Sequence, residues 1–406
     1  MKIAYITASA PFGETENFIV NELAMLKEMG ADLIIFPRGN STHVFHKTGD
    51  SLAELAKPSP LISFRIAVAF LHHLFFKSGF RILTDVLLNS RSLKIAVKNF
   101  AVFPKSTYLA RVMKEAGVAI IHAHWGTTTS TMAYVIHRFT HIPWGVTLHR
   151  WDITEDNLLQ RKIAAARFVR CISESAKTKV GAVIGQTYHD KIAVLHMGVD
   201  CSEAATGEAQ GRDEFIILVP ATYFERKGHK YLIDSIALLK ERDVACLKCY
   251  CYGSGPIRKD LELLVRQRGL QDVISIAGYV PQEKIFAMCR AKSIDLVVLP
   301  SIDIGNEDGE GIPVALMDAM ACGIPVLSTD AGGIPELIGD GSGVMVKQRD
   351  AEGMAEAIEM LMTKPDLRTS IGARGRHKVE QEFNLRTICQ DLMRLFMTAQ
   401  QPQRRD

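Results

Sequence analysis

Short apolar runs alternate along the chain with longer stretches whose apolar residues recur every three or four positions, the pattern of strands followed by helices. Lys2 to Ala8 predicts a buried strand, Glu16 to Met29 an amphipathic helix stopped by Gly30, and Asp32 to Pro37 a second strand, which together make a βαβ opening. Further strands are expected at Ala119 to Ala123, Trp144 to Leu148, Phe168 to Ile172 and Ile192 to Leu195. Residues 202–212 are polar, contain glycine and show no period, so they read as a linker. A second series follows. Phe215 to Pro220, Leu247 to Tyr252, Ile274 to Ala277, Leu296 to Leu299, Pro325 to Ser328 and Gly343 to Val346 are short apolar strands, separated by helical segments such as Gly228 to Lys240 and Ile257 to Arg268. Alternation of this kind implies right-handed crossovers and parallel sheets covered on both faces. Ala351 to Met362, Pro365 to Glu382 and Leu385 to Met397 close the chain as helices. The expected class is α/β with two Rossmann-like domains, residues 1–200 and 214–385, joined by a linker at 201–213. Residues 386–406 form a last helix and tail able to cross back to the first domain, and the two sheets would face each other across a cleft.

Glu310 to Gly323 places two carboxylates around the start of an otherwise apolar helix. Pro313 suits the first helical position and Gly323 a left-handed stop, so the helix should run from about Pro313 to Cys322. Asp318 is its one charge, and no other polar face appears between residues 314 and 322, as in a helix buried between layers. A lone carboxylate there needs hydrogen bonds, and a polar ligand across the helix start is one way to provide them. The turn at residues 308–311 would aim backbone N–H groups of Gly311 and Ile312 at an anion such as a phosphate.

At 406 residues the chain suits two domains, and 47% hydrophobic with 23% charged residues is a globular composition. A net charge of +3 is too small to imply nucleic-acid binding. Eight scattered cysteines fit a reducing compartment, and Cys246, Cys249 and Cys251 lack a second ligand pair at metal spacing, so they read as strand residues and no metal site is expected. The opening residues lack signal-peptide features, so the chain is expected to stay in the cytoplasm. Leu61 to Phe76 is the most apolar window, but Arg65, His72 and His73 interrupt it and it is too short to span a bilayer comfortably. Lys77, Arg81, Arg91, Lys94, Lys98, Lys105 and Arg111 follow against Asp85, a mixture suited either to peripheral contact with anionic lipid or to ordinary domain helices with a basic face.

Several weak motifs stand in one order: Glu225-Arg226-Lys227-Gly228, Gly253-Ser254-Gly255-Pro256, Gly278-Tyr279-Val280, Leu299-Pro300-Ser301, Glu310 to Pro325 and Gly332-Gly333-Ile334-Pro335-Glu336. In the first half stand Gly13, His122-Ala123-His124, Leu148-His149-Arg150-Trp151-Asp152, Ser173-Glu174-Ser175 and Met197-Gly198-Val199-Asp200. Through these the chain resembles retaining GT-B glycosyltransferases of family 4, the bacterial group 1 enzymes, and most of all the colanic-acid and exopolysaccharide type. Two departures matter. The family pairs two glutamates where this chain has Glu310 and Asp318, and Ala221 and Thr222 replace its usual Gly-Arg.

The resemblance implies a nucleoside-diphosphate sugar as co-substrate, a glycan or lipid-linked acceptor, no metal and no other cofactor. It assigns Lys227 and the N–H groups of Gly311 and Ile312 to the phosphates, with Arg226 a conjectural helper, Glu310 to sugar hydroxyls and Asp318 to the ribose. Gly253, Tyr279, Val280 and Pro313 line the donor; His149 faces the transferred sugar, and Gly13 lets the backbone approach it. His122 and His124 read as core histidines. Retention is attributed to same-face attack within an ion pair, the leaving phosphate taking the acceptor proton, so the two-carboxylate glycosidase scheme does not apply. The alternatives are a nucleotide-sugar 2-epimerase on the same fold and an inactive scaffold. A dehydrogenase is disfavoured, since no Gly-x-Gly-x-x-Gly follows the first strand.

Overall fold

The computed structural model describes residues 1–10, 17–40, 52–202, 213–305 and 310–401. They form two compact units, one of Met1–His196 with Arg386–Asp406 and the other of Met197–Leu385.

In the first unit, β1 (Lys2–Ala10), β2 (Asp32–Asn40), β3 (Ile120–His124), β4 (Trp144–Leu148), β5 (Phe168–Cys171) and β6 (Ile192–Val194) make one parallel sheet of order β2-β1-β3-β4-β5-β6. Every residue of β3, β4 and β5 is buried, as expected of strands covered on both faces. The sequence order reverses beside β1, so the loops after β1 and β3 open onto a switch point where such sheets place ligands. The last helix, Leu385–Gln400, sets Phe396 against Tyr5, His122 and Phe168 in this unit.

Helices Phe64–Leu74 and Lys77–Leu88 are bent by 101° at the break between them, and no single described helix is long and apolar enough to cross a membrane. Ile62, Phe64, Phe75, Phe80, Leu88 and Leu93 are exposed, Phe64 at 85% and Phe75 at 89%. Lys105 does not join the basic surface expected of it. It is buried, and its Nζ donates to the carbonyls of Pro37 at 2.7 Å, Arg38 at 3.0 Å and Ser59 at 2.6 Å, which replace water around the amine. Burial first, then the Arg38 charge, lowers its pKa to about 8. Lys98, Arg111 and Arg91 are paired with Glu155, Glu115 and Asp156, the last at 3.9 Å, which leaves Lys77, Arg81 and Lys94 of that set as exposed cations beside the apolar residues.

In the second unit, β7 (Phe215–Pro220), β8 (Leu247–Tyr252), β9 (Ile274–Ala277), β10 (Leu296–Leu299), β11 (Val326–Thr329) and β12 (Val344–Val346) are parallel in the order β12-β11-β10-β7-β8-β9. Read from β9, this is the 3-2-1-4-5-6 order of a dinucleotide-type sheet, whose switch point lies between β7 and β10. The Val314–Ala321 helix follows β10 with Leu316 to Ala321 buried. Pro313 is its N-cap, not its first helical residue. With φ −74° and ψ 119° it stays extended, while its carbonyl accepts from Leu316 at 3.1 Å and Met317 at 3.3 Å to start the helix.

Candidate functional site

The carboxyl edge of the second sheet gathers the loops after β7, β8, β9 and β10. Lys227 lies in a short turn, Glu225–Lys227, that leads through Gly228 into the His229–Glu241 helix. Gly228 is needed there: its φ is +64°, and an added Cβ would meet the Pro300 carbonyl oxygen at 1.8 Å. The Ile302 N–H donates to Arg226 O at 2.8 Å, so the turn after β7 is fastened to the loop after β10. Gly253 is similarly tight; a Cβ would lie 2.0 Å from Ala221 O, and Tyr223 N–H donates to Ser254 O at 2.8 Å.

This fastening brings Lys227 Nζ to 2.5 Å from Glu310 Oε2, and Ser301 Oγ donates to the same oxygen at 2.9 Å. Both side chains are mostly covered, 15% and 13% exposed. Burial by itself would raise the Glu310 pKa, but the Lys227 charge and hydrogen bond, the Ser301 hydroxyl and the Arg226 charge outweigh it and hold the carboxyl below its usual value. The Arg226 guanidinium lies over the Phe224 ring, 5.1 Å from its centre. Gly333 N–H donates to Glu310 O at 3.2 Å and holds the backbone from the far side.

Asp318 is 7% exposed. Its Oδ2 accepts from Gln282 Nε2, yet burial dominates and lifts its pKa to about 7. Gln282 starts the helix after β9, next to Tyr279, which is exposed, and Val280, which packs on the core. Gly311 and Ile312 precede the helix, as does its cap. Gly13, Asp308 and Gly309 lie outside the described residues. Gln282 is an ordinary polar residue with no spacing that marks it in the sequence, and Ser301, named only within the Leu299-Pro300-Ser301 motif, is given no role of its own there.

In the first unit, His149 sits between β4 and the Arg150–Glu155 helix, whose N-cap it forms. Its backbone N–H donates to Asp152 Oδ2 at 2.8 Å. Its ring is enclosed by Phe18 and Trp125, with ring centres at 5.4 and 4.2 Å, and Trp125 holds the left-handed backbone, φ +83°, that non-glycine residues seldom adopt. His149 Nε2 lies 2.9 Å from His124 Nε2. Burial first, then the Arg170 charge, lowers the His149 pKa to about 3, so its imidazole is neutral. His122 is a core histidine whose Nε2 meets Thr147 Oγ1 at 2.9 Å. His124, by contrast, is both core and direct neighbour of His149, a role its sequence position did not reveal. Among the described residues no group of three or more His, Cys, Asp or Glu side chains is arranged to hold a metal ion.

Residues 204–378, most of the second unit, match the family model for glycosyl transferases group 1. The chain is 39% identical over 213 residues to a putative colanic acid biosynthesis glycosyltransferase, WcaL, of Salmonella typhimurium, an alignment covering 52% of each chain. It is 35% identical over 197 residues to the amylovoran biosynthesis glycosyltransferase AmsK of Erwinia amylovora, covering 48% of each. The chain thus spans about half the length of the curated relatives it matches. Anabaena HepE, solved in complex with UDP-glucose, is similar in structure over 98% of this chain and 100% of its own, with a TM-score of 0.71 and 16% identity. The chain has the two-domain GT-B fold, and its residues 204–378 are similar to the group 1 glycosyl transferases.

Proposed function

We propose that the protein is a retaining glycosyltransferase that moves a sugar from a nucleoside-diphosphate sugar to a glycan or lipid-linked acceptor in cell-surface polysaccharide synthesis. The observation that carries this reading is the Lys227–Glu310 pair at the switch point between β7 and β10, with Asp318 buried in the helix that follows. A cation for a diphosphate, a carboxylate for sugar hydroxyls and a second carboxylate for a ribose stand on one sheet edge. The colanic-acid and amylovoran names of its relatives support the polysaccharide assignment, and the UDP-glucose complex of a protein with the same fold supports the donor class.

In the reaction, the bond from the sugar's anomeric carbon to the diphosphate oxygen breaks, and the acceptor oxygen bonds to that carbon from the same face. The acceptor's proton passes to the departing phosphate. Lys227 stabilises the negative charge that grows on the leaving group, and Glu310 holds the sugar as its ring becomes cationic. His149 lies against the sugar as a neutral ring, and no metal takes part. The enzyme works in the cytoplasm, and the exposed apolar residues from Ile62 to Leu93, with Lys77, Arg81 and Lys94, rest on anionic lipid where a lipid-linked acceptor is reached.

The test is release of nucleoside diphosphate from a set of UDP-, GDP- and ADP-sugars, with and without membrane-lipid extract as acceptor source. Acceptor-stimulated release with retained anomeric configuration is expected. Release with no acceptor requirement, accompanied by inversion at C2, would identify an epimerase, and no turnover of any donor would leave a scaffold.

A further inference from the structure

Behind His149 runs a buried polar chain that the glycosyl-transfer reading does not use. Glu22, on the Asn17–Glu28 helix, and Arg170, on β5, form a wholly buried ion pair with Nη1 2.5 Å from Oε2. Arg170 is further held by its Nε to Leu195 O at 2.7 Å and its Nη2 to His196 O at 2.5 Å. The other Glu22 oxygen, Oε1, accepts from Tyr5 Oη at 3.3 Å and lies 4.0 Å from His124 Nδ1, a buried nitrogen with no hydrogen-bond partner among the described residues. His124 Nε2 then meets His149 Nε2 at 2.9 Å. A buried ion pair of this kind often stabilises no more than apolar packing would, but it fixes the Glu22 carboxylate in one place.

A separation of 2.9 Å between two ring nitrogens admits one proton and no more. If His124 owned it, the bare Nδ1 of His124 would point its lone pair at the Glu22 carboxylate in a dry interior. If His149 owns it, His124 carries its proton on Nδ1 and directs it at that carboxylate. Only the second arrangement is electrostatically favourable.

We infer that Glu22 is a positioning residue which, through His124, fixes His149 as its Nε2–H tautomer with Nδ1 as the ring's acceptor. The placement of His149 against a sugar rests on the proposed function; the tautomer does not. With its Nε2–H turned to His124 and Nδ1 left as an acceptor, His149 would not act as a proton donor to the leaving group.

Glu22→Gln gives a sharp test, because the new amide must turn its oxygen to Arg170 and therefore its NH2 to His124. That NH2 donates to a bare His124 Nδ1, His124 donates from Nε2, and His149 is driven to the Nδ1–H form. Long-range proton–nitrogen NMR of the ¹⁵N-histidine-labelled full chain reads both tautomers without substrate. His149 is expected as Nε2–H in the native protein and as Nδ1–H in Glu22→Gln. An Nδ1–H His149 in the native protein, or the same tautomer in both, overturns the inference. Should Glu22→Gln not fold, His124→Asn leaves the Glu22–Arg170 pair intact and removes the ring that polarises His149. A native-like Nε2–H fraction for His149 in that variant also overturns it. Since no step needs a donor sugar, an inactive protein with the expected tautomers would sink the proposed function and leave this inference standing.

Discussion

Lys227 and Glu310 neutralise one another across the switch point of the second sheet, Nζ to Oε2 at 2.5 Å, although they arrive on loops from different strands. In the proposed enzyme a donor must part them, its diphosphate replacing Glu310 at the ammonium and its sugar hydroxyls replacing Lys227 at the carboxylate. Each residue is thus kept in place by its opposite until the ligand arrives. Glu310→Gln keeps a hydrogen-bonding group but loses the charge that answers a cationic sugar ring. Its expected effect is a fall in kcat of roughly a hundredfold or more with little change in donor KM. Steady-state kinetics checks this; a near-normal kcat would remove Glu310 from the reaction.

Asp318 calls for a pH experiment. Its pKa of about 7 in the fold lies above the ordinary carboxylate value, so between about pH 4 and 7 the folded state binds a proton that the unfolded chain has lost. Stability from this group is therefore full below about pH 4 and lost as the pH rises through 7. Without ligand, Asp318→Asn should gain stability relative to the native protein as the pH is raised from 5 to 8, measured by urea unfolding. Donor binding should run the other way. Ribose hydroxyls donate to the ionised form, so native affinity should strengthen from pH 6 to 8 and that of Asp318→Asn should not. Asp318→Asn should raise donor KM more than it lowers kcat, and Asp318→Glu should remain folded and active.

Gly228→Ala should be costly despite the small change. A methyl at φ +64° and 1.8 Å from Pro300 O requires the turn after β7 to move, which together costs roughly 2–4 kcal/mol. Urea unfolding should show that loss, while Gly30→Ala, with an open surround, should show only the strain of its own backbone.

The proposed membrane contact through the bent helices depends on Lys77, Arg81 and Lys94 together with Phe64 and Phe75. Each basic residue near an anionic surface contributes about 1 kcal/mol, so the triple Gln variant should bind phosphatidylserine vesicles roughly a hundredfold more weakly. Phe64→Ser with Phe75→Ser should weaken binding at high salt as well. Lys105 is not a useful change, since it is committed to three carbonyls in the interior. Co-sedimentation unaltered in both variants would refute the contact.

Turnover should be unaffected by EDTA. Loss of activity in EDTA that Mg²⁺ or Mn²⁺ restores would contradict a site in which Lys227 and the helix start carry the phosphate charge.

The strands were legible because parallel strands covered on both faces must be continuous apolar runs, and their positions fall within a few residues of those expected: Trp144–Leu148 and Leu247–Tyr252 are examples. The Glu310 position was marked by its glycines and by a charge with little reason to sit beside an apolar helix, and Lys227 was pointed to only by the family resemblance. Their mutual pairing was not, since residues on separate loops come together only through sheet order. Lys105 misled for a related reason: a lysine in a basic stretch looks solvated until the carbonyl ends of neighbouring segments are seen to close around it. Glu22 and Arg170, 148 positions apart, gave no hint of being partners.

The central claim, that Lys227 at the edge of the second sheet grips the diphosphate of a nucleotide sugar, is tested most directly by calorimetric titration of UDP, GDP and ADP into the native protein and Lys227→Met. One nucleoside diphosphate should bind the native protein, with the variant at least tenfold weaker for that nucleotide and still natively folded by circular dichroism. No binding by any of the three, or an equal Kd in the variant, would contradict the account.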